Sequence, residues 1–326
     1  MFVESLFNLA ELGVGRMRVD KALFASRLIG VTAKERSPGG RETIVHLITG
    51  ATGEVGSRVV RQLLEHGIRP RVLTRTEEKA RSLFGNRVDV CVGDLSAPGS
   101  TRGAIQGADT LFLVNVGPEI PKRDKAAARI SQEAGVHKII KLSSLDAEHD
   151  LAIGGWHELG EAAIRDAGIP FTFVRPTGFM SNLLVWAHSI RTEGIVRSST
   201  ADGRRPFIHP EDIASVSVAA LLHDEYLGEV LPVTGPESLT FGEATRIIGN
   251  AIGRRLSYQV ISDREARERY SRISGSQEET EAHVALWTAI REGRLATTTD
   301  AVERILGRKP IALEQWASEN AHSFLD

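Results

Sequence analysis

Residues 43–56 read TIVHLITGATGEVG, and this stretch decides the fold of the chain. Its first part, Ile44–Ile48, is an apolar and β-branched run that predicts a strand buried on both faces. A glycine turn follows, and Arg58–Leu64 then has the apolar spacing of an amphipathic helix. A strand, a glycine turn and a helix in this order present backbone N–H groups and the positive helix end to a pyrophosphate. The stretch therefore predicts a dinucleotide-binding unit.

The glycine turn supplies the predicted phosphate contacts. One glycine permits the tight turn, a second lets the backbone approach the phosphates, and the third lets the helix pack on the strand. We expect the dinucleotide to contact Gly50, Thr52, Gly53, Val55 and Gly56. Glu54 lies in the same turn, and we expect its carboxylate to point outward and to weaken phosphate binding modestly.

The rest of the chain alternates between strand and helix patterns. Five further strands are predicted at Arg71–Arg75, Val88–Val92, Thr110–Val114, Lys138–Leu142 and Phe171–Val174. Helical patterns separate them at Glu77–Phe84, Ser100–Gln106, Lys122–Ala134 and Trp156–Ala167. This alternation predicts an α/β fold, a Rossmann-like doubly wound parallel sheet with right-handed crossovers.

The chain changes character after the sixth strand. A loop-rich stretch leads to one more strand pattern, Val230–Thr234, and then to a mostly helical tail with reciprocal capping signals that begin at Thr240, Ser262 and Ser276. We expect a smaller, mostly helical C-terminal substrate lobe at the carboxyl edge of the sheet.

The sequence suggests three parts. Residues 1–40 lie outside the alternation and form an N-terminal extension, which is either loosely ordered, the product of a start codon assigned too early, or a docking helix. Residues 41–176 form the dinucleotide-binding Rossmann core. Residues 177–326 interleave the last sheet elements with the C-terminal substrate lobe.

Composition excludes several classes of function. The 326 residues carry a net charge of −2, so no overall field favours nucleic acid or an anionic membrane. The longest apolar run falls well short of the roughly 20 residues that span a bilayer, and the histidines show no metal-ligand spacing. The single cysteine, Cys91, excludes an internal disulfide and fits a reducing compartment. We expect a cytoplasmic protein without a metal and without direct nucleic-acid or membrane binding.

Arg75 and Asp94 suggest which dinucleotide binds. Arg75 is the last residue of the second predicted strand, where an acidic residue would favour NAD and an arginine accommodates the 2′-phosphate of NADP. No Asp or Glu occurs in residues 69–76, so NADP(H) is favoured over NAD(H). Asp94 follows the third strand and is placed near the adenine, with a turn-forming role as the alternative. A surface arginine without a ligand is the alternative for Arg75.

A series of motifs, taken in order, resembles the NmrA-like group of atypical short-chain dehydrogenase/reductases. Besides the glycine turn, Arg75 and residues 93–95, it comprises residues 141–144 (KLSS), 173–179 (FVRPTGF), 207–214 (FIHPEDIA), 234–237 (TGPE), 300–303 (DAVE) and 316–320 (WASEN). The resemblance covers about residue 43 to the C-terminus. It implies a Rossmann domain with a small substrate lobe that binds NADP(H). Members of this group include quinone and dye reductases and also non-enzymatic redox sensors.

The expected catalytic pair of ordinary short-chain dehydrogenases is missing. Those enzymes place a Tyr-x-x-x-Lys pair on the helix after the fifth strand, whereas this chain has His157 and Glu161 at those positions. All three tyrosines lie in the last third of the chain, so alcohol oxidation by a tyrosinate is not expected. The His-x-x-x-Glu spacing resembles that of the quinone and triphenylmethane reductases of the group.

The site residues follow from these placements. His157 and Ser143 are the candidate catalytic residues, and Ser144 and Pro176 are expected beside the nicotinamide. An aromatic acceptor is expected against Phe179, Met180 and Trp186. For each of these residues the alternative is an ordinary role in packing or capping.

Two functions remain open at this point. The favoured one is an NADPH-dependent oxidoreductase that passes hydride directly to a quinone or a similar conjugated small-molecule acceptor. The other is a redox sensor that binds NADP(H) without turnover and regulates transcription through a protein partner. An isomerase or epimerase is disfavoured because the Tyr-Lys pair is absent. The sequence leaves open whether the chain forms a homodimer.

Overall fold

The computed structural model describes residues 44–325, so the predicted extension at residues 1–40 lies outside the described residues. The seven strands of its main sheet are β1 (His46–Ile48), β2 (Arg71–Thr74), β3 (Asp89–Val92), β4 (Thr110–Val114), β5 (Lys138–Leu142), β6 (Phe171–Pro176) and β9 (Val230–Val233). All neighbours pair in parallel, in the order β3-β2-β1-β4-β5-β6-β9. The predicted doubly wound parallel sheet is confirmed.

Helices cover both faces of this sheet. They are α1 (Glu54–Glu65), α2 (Glu77–Phe84), α3 (Pro98–Ile105), α4 (Ile120–Ala134), α5 (Ala152–Asp166), α7 (Pro210–Leu222) and α11 (Ala301–Leu306). One face packs against α1, α2, α7 and α11, and the other packs against α3, α4 and α5. Each face is apolar because strands covered on both sides carry near-continuous Val, Ile and Leu runs.

The lobe contains the remaining α-helices and strands. Its helices are α6 (Ala187–Glu193), α8 (Phe241–Ala251), α9 (Asp263–Tyr270), α10 (Gln277–Arg291), α12 (Leu313–Glu319) and α13 (His322–Leu325). Its short strands are β7 (Ile195–Ser198), β8 (Arg204–Arg205), β10 (Leu239–Thr240) and β11 (Ser257–Val260). β8 pairs antiparallel with β10, and β7 pairs in parallel with β11. A separate apolar core that includes Trp186, Phe241, Trp316 and Phe324 holds the lobe together.

Several local predictions can be compared with the structure. The reciprocal capping box is present at Thr240, where the side chains of Thr240 and Glu243 each bond the other's backbone. At Ser276 the serine caps the backbone of Glu279, but the Glu279 carboxylate accepts from Gly275 N at 3.0 Å instead of returning to Ser276. The predicted reciprocity was therefore wrong there, because the preceding turn brings another N–H closer.

The lobe lies at the carboxyl edge of the main sheet. Phe179, just after β6, forms a β-bridge with Ile208, and α10 packs against α5. The start of α10 also reaches the loop after β4, where a Cβ added to Gly117 would lie 3.4 Å from Glu279 Oε1. The edge where α/β proteins bind ligands is therefore covered by the lobe. No helix among residues 44–325 combines the length and apolarity needed to cross a bilayer.

Candidate functional site

The turn between β1 and α1 has the geometry required for close approach of a pyrophosphate. Gly50 adopts φ +60°, a left-handed conformation that glycine tolerates without strain. A Cβ on Gly56 would lie 2.1 Å from Gly50 O, so only glycine lets the helix begin this close to the strand. Gly53 N donates to Gly50 O at 2.9 Å, and α1 starts at the next residue. The turn therefore directs the N-terminus of a 12-residue helix at the carboxyl edge of the sheet.

Thr52 and Val55 occupy different positions within this turn. The Val55 side chain is buried in the sheet core, and Thr52 is half-buried. Val55 therefore helps to fix the first turn of α1, and its backbone N–H remains a candidate phosphate contact.

Glu54 has a partner that the sequence analysis did not assign, although the i,i+4 spacing of Glu54 and Arg58 on a helix is typical of such a pair. Its carboxylate lies 2.6 Å from Arg58 Nη1, and Arg58 Nε lies 3.4 Å from Glu211 on α7. Glu54 is 16% exposed. Because Arg58 offsets the charge of Glu54, we expect this carboxylate to repel a bound phosphate less than an unpaired carboxylate would.

The two residues predicted to contact the adenosine, Arg75 and Asp94, lie just after β2 and β3. Arg75 is exposed directly after β2. Asp94 accepts a hydrogen bond from Ser96 N at 2.7 Å. This backbone bond lowers the pKa of Asp94 most, and the Ser96 hydroxyl and the charges of Arg75 and Arg123 lower it further. The turn-forming role of Asp94 is therefore present, and its carboxylate remains charged beside two arginines.

Arg123 is a residue of this region that sequence reasoning missed. It lies on α4, and its Nε is buried without a hydrogen-bond partner among residues 44–325. No local motif identifies it, because it becomes a neighbour of Asp94 only when α4 packs beside the helix after β3.

Ser143 and Glu161 are bound to each other. Ser143 Oγ donates to Glu161 Oε1 at 2.6 Å, and both side chains are buried. Arg175, on β6, donates to the same carboxylate through Nε at 2.8 Å and Nη2 at 2.6 Å. These bonds keep the pKa of Arg175 above its usual value, against the opposing effect of burial. Glu161, at the position of the usual lysine, is therefore a structural anchor between α5 and β6.

A second buried ion pair lies under the same edge. Lys141 Nζ, on β5, is 2.5 Å from Asp124 Oδ2, on α4, and neither side chain is exposed. Asp124 Oδ1 also accepts from Asn115 Nδ2 at 2.6 Å. Gly160 makes room for this pair, because a Cβ there would lie 2.3 Å from Asp124 Oδ2. The network fixes the loop after β4 relative to β5 and α5.

His157 lies on α5 near these charges. Burial first, and then the positive charges of Lys141 and Arg175, hold the pKa of His157 well below its ordinary value. Its Nδ1 is buried and has no hydrogen-bond partner among the described residues. His157 is therefore neutral near pH 7, and it can offer a hydrogen bond but no imidazolium proton.

The remaining predicted site residues separate into two groups. Ser144 and Pro176 lie at the ends of β5 and β6, and Ser144 Oγ accepts from Asp146 N at 3.2 Å. Met180 and Trp186 lie in the apolar core of the lobe, where they are 1% and 8% exposed. Phe179 is partly buried and packs against the sheet core. Core packing, the alternative given above, describes the positions of Met180 and Trp186.

A small cavity lies between the loop after β5, the end of β6 and the lobe. It is lined by Leu145, Asp146, His149, Thr177, Arg294, Leu295 and Thr297. Residues 294–297 carry no motif, and only the return of the chain after α10 brings them to this edge. The cavity has a volume of only about 20 Å³, room for about one water molecule. It borders the two strand ends where a nicotinamide is expected, so its mouth, and not its interior, is the candidate contact for an acceptor.

The residues present fit a dinucleotide. The left-handed Gly50, the close approach at Gly56, the helix N-terminus and Arg75 together suit a pyrophosphate and an adenosine phosphate. Among residues 44–325 no group of three or more His, Cys, Asp or Glu could hold a metal ion. No tyrosine lies on α5, and the glutamate in place of the lysine is already bound to Arg175 and Ser143. This arrangement can position a nicotinamide against an acceptor, and it lacks a phenol that could exchange a proton with an alcohol.

Comparison with known sequences agrees with this description. A family model described as NAD(P)H-binding matches residues 50–224. The (4-alkanoyl-5-oxo-2,5-dihydrofuran-3-yl)methyl phosphate reductase of Streptomyces griseus is 34% identical over 283 residues, which is 85% of this chain and 98% of that protein. The NAD(P)H azoreductase of Xenophilus azovorans is 30% identical, again over 85% of this chain and 98% of the relative.

Solved structures share the fold. A quinone oxidoreductase from Escherichia coli, solved with NADPH, superposes with a TM-score of 0.77 at 20% identity and covers 84% of this chain and 99% of its own. The triphenylmethane reductase of Citrobacter, solved with NADP(H), gives 0.75 at 22% identity over 85% of this chain and 99% of its own. The predicted resemblance is confirmed, and the family model shows that the chain binds NAD(P)H.

Proposed function

Because this chain belongs to the NAD(P)H-binding family and is an NAD(P)H-dependent reductase, we propose that it reduces a quinone or a similarly conjugated small molecule. Hydride passes directly from the nicotinamide of NADPH to the acceptor, without a Tyr-Lys pair. The observation that carries this proposal is that Glu161 occupies the position of the usual lysine and that Ser143 and Arg175 already bind its carboxylate. The acceptor must therefore be one that needs no acidic phenol from the protein.

The relatives support the chemical class of the acceptor. A butenolide phosphate, an azo compound and a quinone are the substrates named for three of them. Each of these molecules has an electron-poor conjugated system that accepts hydride readily, and solvent can protonate the product. The alternative of a non-catalytic sensor gains no support from these relatives.

The chain's own residues have the following roles in this proposal. The backbone of Gly50–Gly56 and the start of α1 bind the pyrophosphate, and Arg75 binds the adenosine 2′-phosphate. NADPH, when bound, supplies the hydride from C4 of its nicotinamide. Ser144 and Pro176 lie at the strand ends beside that ring. Neutral His157 is the candidate hydrogen-bonding group on α5.

A steady-state assay tests this function. Purified protein is mixed with NADPH or NADH and a panel of quinones, azo dyes and butenolides, and nicotinamide absorbance is followed. We expect acceptor-dependent oxidation that prefers NADPH. Arg75→Ala should lose that preference, whereas Arg81→Ala, an exposed arginine on α2 paired with Glu77, should keep it. No turnover with any acceptor would exclude the proposed reaction.

A further inference from the structure

The cavity at the carboxyl edge contains one lining acid, Asp146, whose charge is already neutralised. Arg205 Nη2 donates to Asp146 Oδ1 and Oδ2 at 3.0 and 3.1 Å, and both residues are 5% exposed. Gly178 leaves room for this guanidinium, because a Cβ there would lie 2.5 Å from Arg205 Nε. The acid therefore contributes little negative potential to the cavity.

Arg205 also retains unused hydrogen-bonding capacity behind the cavity wall. Its Nε and Nη1 are buried and have no hydrogen-bond partner among the described residues. Buried guanidinium N–H groups are normally satisfied. Because these two groups have no partners, this wall has more hydrogen-bond donors than hydrogen-bond acceptors.

Arg294, unlike Arg205, lines the cavity directly. It is exposed, and its ion pair with Glu292 is a long contact of 3.9 Å between Nη1 and Oε2. An exposed pair at this distance contributes little, so Arg294 can exchange Glu292 for another anion. Thr177 and Thr297 add two hydroxyl groups to the same lining. The lining thus combines a weakly engaged guanidinium with hydroxyl donors, which is the chemistry that binds an oxyanion.

We propose that the acceptor carries an anionic oxyacid group, such as a phosphate, sulfonate or carboxylate, and that the exposed Arg294 binds this group at the mouth of the cavity. The inference rests on the proposed reductase function, because it places the acceptor's conjugated part at the neighbouring ends of β5 and β6. Arg294 is then a specificity-determining residue that acts on binding and takes no part in hydride transfer.

A matched pair of acceptors tests the proposal in turnover. Naphthoquinone and its monosulfonate are compared at fixed NADPH, and the ratio of their kcat/KM values is measured. In Arg294→Ala this ratio should fall at least about tenfold from the wild-type value, the range expected for a lost hydrogen bond to a charged group. Arg294→Lys should lose less, because it keeps the charge. Arg255→Ala, an exposed arginine elsewhere on the lobe, should leave the ratio unchanged.

A binding measurement decides the proposal even without turnover. The monosulfonate and the parent quinone are titrated into protein saturated with NADP⁺, which cannot donate hydride, and tryptophan fluorescence is followed. Tighter binding of the sulfonate that depends on Arg294 supports the subsite. Equal affinities in the wild type, or the same loss for both ligands in Arg294→Ala, overturn it. Absence of NADPH oxidation together with Arg294-dependent sulfonate binding would instead reject only the reductase function.

Discussion

Replacing Lys141 by methionine would remove one partner of the buried ion pair under the candidate site. Methionine is close to the length of the lysine stem, so the change deletes the charge and creates little empty space. Asp124 would then remain with no exposed surface and no cation, and would keep only the hydrogen bond from Asn115 at 2.6 Å.

The expected cost follows from this geometry. Removing one member of a buried ion pair typically destabilises a protein by about 3–5 kcal/mol, because the other charge stays buried. A second change, Asp124→Asn, removes that charge and keeps an oxygen for Asn115. The double variant should therefore recover part of the loss and remain about 1–3 kcal/mol below the wild type, the cost of an unsatisfied buried amide.

Urea unfolding at pH 7, followed by tryptophan fluorescence, measures these differences. Lys125→Met, an exposed lysine on the same helix as Asp124, is the matched control and should change the free energy of unfolding very little. The reasoning is refuted if Lys141→Met costs less than about 1 kcal/mol. It is equally refuted if the double variant is no more stable than the single one.

Three further predictions concern cofactor binding and pH. Arg75→Ala should weaken NADPH binding by about tenfold or more and change NADH binding little, because only NADPH carries the 2′-phosphate; equal losses in a fluorescence titration would contradict this. Burial and the charge of Lys138 lower the pKa of His46 to about 4. The folded state therefore loses stability as the pH falls from about 6.5 towards 4, because the unfolded chain takes up a proton on His46 before the folded one does. In urea unfolding, the free energy of unfolding of His46→Gln should fall by about 2–3 kcal/mol less than that of the wild type between pH 7 and pH 4.5. An equal fall in both proteins would contradict this prediction. His157 should show no titration by NMR between about pH 6 and 8, since its pKa is lowered; a midpoint near its ordinary value would show that the ring is solvated.

Much of the fold was predictable because its signals are local. The helix Glu77–Phe84 was predicted with the bounds that the structure has, and Pro210 begins α7 as its fixed φ suggests. The ends of other elements shifted. α1 begins at Glu54, since Gly53 takes the N-cap position, and the predicted run from Ile44 becomes a strand only at His46.

The candidate site was less predictable because its contacts join distant segments. The spacing of His157 and Glu161 was readable, but the partners of Glu161 are Ser143, after β5, and Arg175, on β6. Lys141 lay in an apolar strand pattern, and nothing near it in sequence pointed to Asp124. Arg294 was overlooked for the same reason, because only the packing of the lobe brings it to the sheet edge.

The seventh strand of the sheet has a consequence for how the chain is made. β9 (Val230–Val233) pairs with β6, and α7 covers the sheet face that also packs against α1. During synthesis, the dinucleotide-binding half therefore emerges with β6 as an open edge and with an uncovered apolar face until residues 210–233 follow. Exposed edges of this kind invite pairing with other chains. A fragment that ends at residue 176 should consequently aggregate, and an intact chain should be most vulnerable to misfolding in the interval before β9 is translated.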